Sequence, residues 1–535
     1  MKKVYIYIFI LIALSLLVIG PFFKPGFFET HDGGWAVVRL GAMHRAFADL
    51  HLPARWAGEL NFGYGYPLFE FTYPLPYYLG EVINLLGLGL VDSIKAVFVF
   101  SVLTSVVVMF FLSRRIFGNL GAFISAGFYL FANYRLVNLY VRGSIGESLS
   151  LVLFPMLFFL VLSSISKPTA VKTSLFALSF AALLLTHNVT ALIFSPFLLA
   201  FYLFLLYRQR NRENIIHMIL GFGLGGLMSS FFLFPALVEK NYISLGVNAI
   251  SNIKEHFLSV QSLISTPWNY GAFASSERFS AEIGAFPLLA FVLAISVLIK
   301  MKDSLTRNVF LFSFFSVIIL IFLMLPFSYS FYKLPLFSNI DFPWRLLTPL
   351  IFFLSFSLGI LGMKKIWGLI GLLLLMATAI INLPHAKPNN YISYPDEYYL
   401  TNQATTTSND ELMPIWVEKK PKQRYERKVE VLSGDAGVNV ISQETAKTVF
   451  EINAEEESRI ALNTIYYPGW ELKENGSKID FSYDNPEGII EFDIREGTHR
   501  ITAEFKNTSL RSFANFLSIL GIAGVIILWG KKFVK

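Results

Sequence analysis

The stretch Met1-Lys2-Lys3-Val4-Tyr5-Ile6-Tyr7-Ile8-Phe9-Ile10-Leu11-Ile12-Ala13-Leu14-Ser15-Leu16-Leu17-Val18-Ile19-Gly20 decides what kind of protein this is. Two lysines precede an apolar run without a single charge. As a helix rising about 1.5 Å per residue, about 20 such residues cross a hydrocarbon core of about 30 Å. The run has the charged start and apolar middle of a signal peptide. However, Gly20-Pro21-Phe22-Phe23-Lys24 lacks the small-residue cleavage pattern, so it reads as an uncleaved first span.

Working outward, runs of the same kind recur near residues 4–22, 93–113, 116–134, 148–166, 171–187, 189–207, 214–237, 284–301, 307–327, 346–362, 366–383 and 512–530. The expectation is a polytopic α-helical membrane protein of about 12 spans. Composition agrees: 54% hydrophobic and 15% charged residues, with a mean hydropathy of +0.56, exclude an ordinary soluble domain. The net charge of +7 does not point to nucleic acid, because the basic residues sit in short loops between spans. With the N-terminus inside, the inner segments hold Lys2/Lys3, Arg114/Arg115, Lys167/Lys172, Arg208/Arg210/Arg212, Lys300/Lys302/Arg307, Lys364/Lys365 and Lys531/Lys532/Lys535, as the positive-inside rule requires. With no cysteine in the chain, disulfides, thiolate nucleophiles and Cys-ligated metals are excluded.

The same parity puts residues 21–91, 239–283 and 382–511 outside and both termini in the cytoplasm. The third outer segment changes character. A polar linker containing Thr405-Thr406-Thr407-Ser408-Asn409-Asp410 gives way to short alternating stretches, separated by Ser433-Gly434-Asp435, Asn475-Gly476, Asp484-Asn485-Pro486 and Glu496-Gly497. Period-two alternation with regular turns predicts a β-sandwich. The expected organisation is therefore a membrane domain (1–383, with juxtamembrane helices in its loop 21–91), a linker (384–427), an extracytoplasmic β-sandwich (428–510) and a final membrane helix with a basic tail (511–535).

Candidate chemistry begins at Thr30-His31-Asp32-Gly33-Gly34-Trp35, just after the first span. Asp32 precedes a stretch with apolar residues at helical spacing, so an ordinary N-cap is one reading and a reactive carboxylate the other. Farther on come Arg55-Trp56 and a stretch from Gly63 to Tyr78 crowded with Tyr, Gly and Pro, including Tyr64, Tyr66 and Tyr73. Such residues suit an aromatic belt at the membrane edge. They equally suit a cleft where aromatic faces stack on sugar rings.

His31-Asp32, Arg55-Trp56, Gly63-Tyr64-Gly65-Tyr66-Pro67, Tyr73-Pro74-Leu75-Pro76-Tyr77, Tyr140-Val141-Arg142-Gly143-Ser144-Ile145-Gly146-Glu147, Pro235-Ala236-Leu237-Val238-Glu239, Phe342-Pro343-Trp344-Arg345 and Tyr466-Tyr467-Pro468-Gly469-Trp470 occur in that order. Together they resemble the bacterial membrane proteins labelled 6-pyruvoyl-tetrahydropterin synthase-related. Those are similar in turn to YfhO-type proteins and GT-C glycosyltransferases. The zinc-binding three-His cluster of soluble pterin synthases has no counterpart here.

The resemblance implies a GT-C-like fold and transfer of a sugar from a polyprenyl-phosphate carrier to a glycan or lipid acceptor outside the membrane. It implies a general base at Asp32, with Glu70 as second choice, since the attacking hydroxyl must lose a proton. Glu147 reads either as a helix-terminal charge neutralised by Arg142 or as a second carboxylate. Arg345, with Arg142 and Arg135, reads as a grip on the carrier phosphate or, for Arg345, as a snorkelling side chain. His31, Trp35, Arg55, Tyr64, Tyr66, Tyr73, His187 and Trp344 would line the substrate. Some enzymes of this class use a divalent cation, for which only His31 and scattered carboxylates are on offer, so no metal ligands are assigned. Two rival functions share the topology: a transporter or flippase for a lipid-linked glycan, and a non-catalytic envelope assembly factor. Transporters place ionisable groups mid-span, whereas here they cluster at span ends.

Overall fold

The computed structural model describes residues 2–209, 212–247, 251–299, 304–335 and 337–530. Arg210, Lys300, Lys302, Lys531, Lys532 and Lys535, used above to orient the chain, lie outside them. Among the described residues, eight helices are long and apolar enough to cross a membrane; the count is nine if Glu213–Met228 and Ser230–Tyr242, bent by 71°, form one span. The expectation of about 12 spans departs from this at identifiable places. Ala170–Thr186 and Ala285–Ile299 are apolar but shorter. The segments expected at 93–113 and 116–134 both fall in Leu90–Leu130, which counts as one apolar helix in that eight but is interrupted at Gly118.

That interruption is a reversal. The hydroxyls of Ser113 and Ser125 lie 2.8 Å apart, whereas twelve residues of straight helix would separate them by about 18 Å. The chain folds back at Gly118, whose φ of 75° costs little only for a residue without Cβ. Ile145–Ser166 and residues 343–363 run through the middle of the bundle and are mostly buried, while Lys3–Phe23 and Ser509–Gly530 lie at its edge with their apolar surfaces largely uncovered. Aromatic side chains fill the centre: Phe158 stacks on Phe201 (4.2 Å between centroids) and meets Phe352 edge-on (4.9 Å). Close ring packing of this kind supplies cohesion where lipid removes the hydrophobic drive between helices.

The three long segments outside the spans gather at one end. Phe27–Phe28 pairs with Tyr391–Ile392 as a two-stranded ribbon, the Ser244 N–H donates to the Met413 carbonyl at 2.9 Å, and His31 Nε2 donates to the Tyr270 carbonyl at 2.7 Å. The stretch 384–427 is packed against this end along much of its length. The Asp396 carboxylate accepts the N–H groups of Leu90 (2.8 Å) and Val91 (3.3 Å), satisfying donors that a helix start leaves open. Farther along, Tyr399 and Thr406 are buried.

Beyond it stand two antiparallel sheets. One has five strands, in the spatial order Ala436–Glu444, Lys447–Ala454, Gly497–Phe505, Trp470–Glu474 and Ser477–Ile479. The other has three, in the order Val429–Ser433, Ser458–Ile465 and Ile489–Ile494. Phe450 of the first and Phe492 of the second are buried with ring centroids 6.3 Å apart. In Ile489–Ile494 and the second half of Gly497–Phe505 burial alternates residue by residue, as a sheet with one covered face requires, whereas Ser458–Ile465 is buried almost throughout.

Candidate active site at the loop end of the bundle

Asp32 occupies the N-cap position of the helix Gly33–Ala48, yet its carboxylate makes no capping hydrogen bond. Thr30 does that work, its hydroxyl accepting the Gly33 N–H at 3.0 Å. The ordinary N-cap reading of Asp32 therefore fails, and among the described residues no hydrogen bond or ion pair engages its half-buried side chain. Its backbone, by contrast, is fixed. The N–H groups of His31 and Asp32 donate to the carbonyls of Val141 (3.0 Å) and Arg142 (2.8 Å). The 141–142 segment then turns at Gly143, with φ +63°, where a Cβ would overlap Thr30 Oγ1 and come within 2.7 Å of the Gly33 nitrogen. Only glycine lets the two segments approach this closely.

Glu147 organises the cations beside it. The carboxylate is fully buried and lies 2.6 Å from Arg142 Nη1 and 3.9 Å from Arg345 Nε. It also accepts from Tyr134, Asn138 and Thr348. Arg142 is further held by Asn138 Oδ1 at 2.7 Å and lies over the Trp344 ring at 4.7 Å, a cation–π arrangement. Arg345 sits over the Phe342 ring at 4.7 Å, and 20% of its side chain remains exposed. Arg142 is also within electrostatic reach of Asp32, and Arg345 of Asp341. His187, bonded through Nδ1 to the Thr190 N–H and hydroxyl, packs against Tyr73 at 5.0 Å. Tyr73 in turn lies within electrostatic reach of Asp32 and Glu147. Asp32, His31, Tyr73, Arg142, Glu147, His187, Trp344 and Arg345 thus share one neighbourhood.

Most of the other residues expected at the site are engaged with other segments. Glu70 is fully buried between Arg55 (2.7 Å) and Arg511 (3.2 Å). Arg511 continues to Glu239 at 2.7 Å, whose carboxylate accepts the Tyr467 hydroxyl at 2.9 Å. This network fastens the first loop, the bent helix pair, the sheets and the last helix together. Tyr64 meets Tyr425 edge-on, and its carbonyl accepts the Ile465 N–H at 3.0 Å, a second fastening to the sheets. Arg135 is only 1% exposed, donating to the Tyr129 carbonyl and the Ser105 hydroxyl inside the bundle. Tyr66 is buried with its hydroxyl on Thr406. Trp35 lies half-buried in the first turn of the Gly33–Ala48 helix. Glu282, bonded to Asn133 and Thr266, went unnoticed in the sequence; burial holds its carboxyl above the usual range.

Among the described residues, no three His, Cys, Asp or Glu side chains are placed to hold a metal ion. His31, next to Asp32, is committed to Tyr270, and the Glu147 carboxylate is taken by Arg142, Tyr134, Asn138 and Thr348. This donor set does not fit a divalent cation.

A family model described as 6-pyruvoyl-tetrahydropterin synthase related domain, membrane protein, matches residues 69–387. The chain is 26% identical over 338 residues to an uncharacterized protein of Lactococcus lactis subsp. cremoris (strain MG1363), covering 59% of this chain and 53% of that one. It thus spans about half the length of the curated relative it matches. Among solved structures it is similar to the arabinofuranosyltransferase AftD from Mycobacteria, with 13% identity and a TM-score of 0.47, covering 73% of this chain and 28% of that chain. It is also similar to the Archaeoglobus fulgidus oligosaccharyltransferase in the apo form, with 12% identity and a TM-score of 0.48, covering 76% of this chain and 61% of that chain. Both scores are too low for a shared fold to follow from them. The family match is different in kind: it takes in more than half of the chain, including Glu70, Arg142, Glu147 and Arg345, so the chain belongs to the 6-pyruvoyl-tetrahydropterin synthase-related membrane proteins.

Proposed function

We propose that this protein is a membrane glycosyltransferase that moves a sugar from a polyprenyl-phosphate carrier to a glycan or lipid acceptor, with Asp32 as general base. The observation that carries this reading is a carboxylate with no hydrogen bond or ion pair among the described residues, on a fixed backbone, beside two guanidinium groups gathered by one buried carboxylate. In the reaction, the Asp32 carboxylate takes the proton of an acceptor hydroxyl while its oxygen bonds to the anomeric carbon. The bond from that carbon to the phosphate oxygen breaks, and its electron pair stays with the phosphate. Arg142 and Arg345 face the charge that develops there. Glu147 acts by holding both arginines in position, and Tyr73, His187 and Trp344 line the sugar.

The bundle lies in the bacterial cytoplasmic membrane in this reading, with its loop end and the two sheets outside and both termini in the cytoplasm. The central helices favour transfer over transport of a lipid-linked glycan. Ile145–Ser166 and residues 343–363 carry their ionisable groups, Glu147 and Arg345, in the first turn, whereas a transport path needs such groups at mid-depth. The test compares lipid-linked glycans in cells with and without the gene. Accumulation of a polyprenyl-phosphate sugar and loss of one glycosylated product are expected in its absence. An unchanged glycan profile would overturn the assignment.

A further inference from the structure

Residues 477–482 cross from one sheet to the other along their edges. Ser477–Ile479, the edge strand of the five-stranded sheet, pairs with Trp470–Glu474. Ser482 then exchanges backbone hydrogen bonds of 2.7 and 2.8 Å with Glu491, in the edge strand of the three-stranded sheet. Between these pairings stands Phe481, half-buried, which lines two cavities. One, of about 660 Å³, is also lined by Trp416, Glu418, Tyr483 and Asp484. The other, of about 390 Å³, is lined by Trp470, Glu471, Lys478, Asp480 and Lys506. Both volumes fall within the range of about 300–1,000 Å³ common for ligand sites.

The larger cavity joins aromatic rings to carboxylates. Trp416 and Tyr483 are half-buried, with ring centroids 6.0 Å apart, and Tyr483 is fixed by stacking on Tyr466 at 3.6 Å. Glu418 and Asp484 are exposed, and among the described residues neither carboxylate has a hydrogen bond or ion pair. No lysine or arginine lines this cavity among the described residues. In the smaller one, Lys478 pairs with Glu471, and Lys506 with Glu471 (3.5 Å) and Glu504 (3.3 Å), so both cations are matched. Trp470 is only 6% exposed, yet its buried indole N–H has no hydrogen-bond partner, which costs stability unless a ligand accepts from it. Matched lysines beside unpaired carboxylates disfavour an acidic occupant. Sugars fit such walls: their C–H faces pack on aromatic rings, and their hydroxyls donate to carboxylates and accept from N–H groups. Two cavities sharing one wall suit a chain of sugars better than a single ring.

We propose that this double cavity, built on Trp416, Phe481 and Tyr483 with Glu418, Asp484 and the Trp470 indole, binds a glycan chain without acidic groups as the acceptor. This rests on the glycosyltransferase reading and narrows its acceptor from glycan or lipid to a glycan chain. The cavity is tied to the membrane bundle: Trp416 packs against Tyr467 at 6.5 Å, whose hydroxyl donates to Glu239 in the network that holds the first loop. A chain gripped here is thereby retained at the loop end, where Asp32 lies.

The experiment applies the full-length protein in nanodiscs to a printed array of bacterial envelope glycans, uncharged and acidic chains together, and titrates the chains that bind. Expected is binding of chains without acidic groups, weakened about tenfold or more by Trp416→Ala and severalfold by Glu418→Gln combined with Asp484→Asn. Those two carboxylates are exposed and unbonded, so the double variant is expected to fold as wild type does. Binding of no chain, or of acidic chains alone, would overturn the glycan site and leave the chemistry at Asp32 standing. So would undiminished binding by Trp416→Ala, or by the double variant should Trp416→Ala not fold. Asp32→Asn is expected to bind the chain as wild type does while failing to extend it. A wild type that binds the chain but transfers no sugar to it would overturn the acceptor role together with the glycosyltransferase reading.

Discussion

The Asp32 amide donates to the Arg142 carbonyl at 2.8 Å, although 110 residues and two apolar helices separate them in sequence. This hydrogen bond joins the carboxylate of the first loop to the segment that carries the cations. Because Arg142 and Arg345 converge on the Glu147 carboxylate, all four residues are held relative to one another by backbone and buried charge. A free carboxylate on so fixed a mount is preorganised rather than mobile.

Asp32→Asn should leave the fold almost untouched, because no side-chain hydrogen bond is lost. The expected change in stability is within about 0.5 kcal/mol. Sugar transfer should fall by roughly 10²- to 10⁴-fold. A transfer assay on purified protein, run beside a thermal melt of the same sample, checks both halves. Undiminished transfer would remove Asp32 from the chemistry.

Glu147→Gln should be far more damaging to the fold. It leaves two arginines facing each other without their buried counter-ion, which typically costs about 3–5 kcal/mol. Adding Arg142→Met should recover part of that loss, since one unmatched cation goes with it. A double-mutant cycle in denaturant measures the recovery; purely additive losses would contradict the hub role of Glu147.

Gly143→Ala should destabilise by more than about 1 kcal/mol, through both the positive φ and the overlap with Thr30 Oγ1. It should also push the 141–142 carbonyls away from His31 and Asp32. Hydrogen exchange at those two amides reads the displacement directly: faster exchange is expected, and unchanged protection would show that the contact is dispensable.

The contact between the first loop and the sheets should weaken in acid through His51. Burial and the nearby charges of Arg55 and Arg511 lower its pKa from 6.5 to about 4, against the opposing pull of Asp49. The folded state thus stays unprotonated where the unfolded chain already binds a proton. The associated stability is full above pH 6.5 and is lost as pH falls through about 4. His51→Gln should flatten the fall in melting temperature between those values, and an equally steep fall would assign it to other groups.

Much of the architecture was legible without coordinates. Runs such as residues 4–22 and 148–166 are long and apolar enough to require a bilayer, and residues 428–505 alternate in short stretches, so helices followed by sheets could be read directly. The break at Gly118 was legible in outline, as separate segments at 93–113 and 116–134. The short helices Ala170–Thr186 and Ala285–Ile299 fall close to the segments expected at 171–187 and 284–301, of which residues 300 and 301 lie outside the described ones.

The candidate site divides along the same line. Asp32, Arg142, Glu147 and Arg345 stood out because charge beside an apolar run is conspicuous. Glu70 was equally conspicuous, yet it serves to neutralise Arg55 and Arg511 across a joint between distant segments. The sequence by itself determined the membrane class, the order of helices and sheets and the inventory of charges, since these follow from local composition and period. Only the tertiary structure decided which charges cancel and which stay free, because a buried ion pair is fixed by contacts such as Arg511 with Glu239, whose distance along the chain carries no signal.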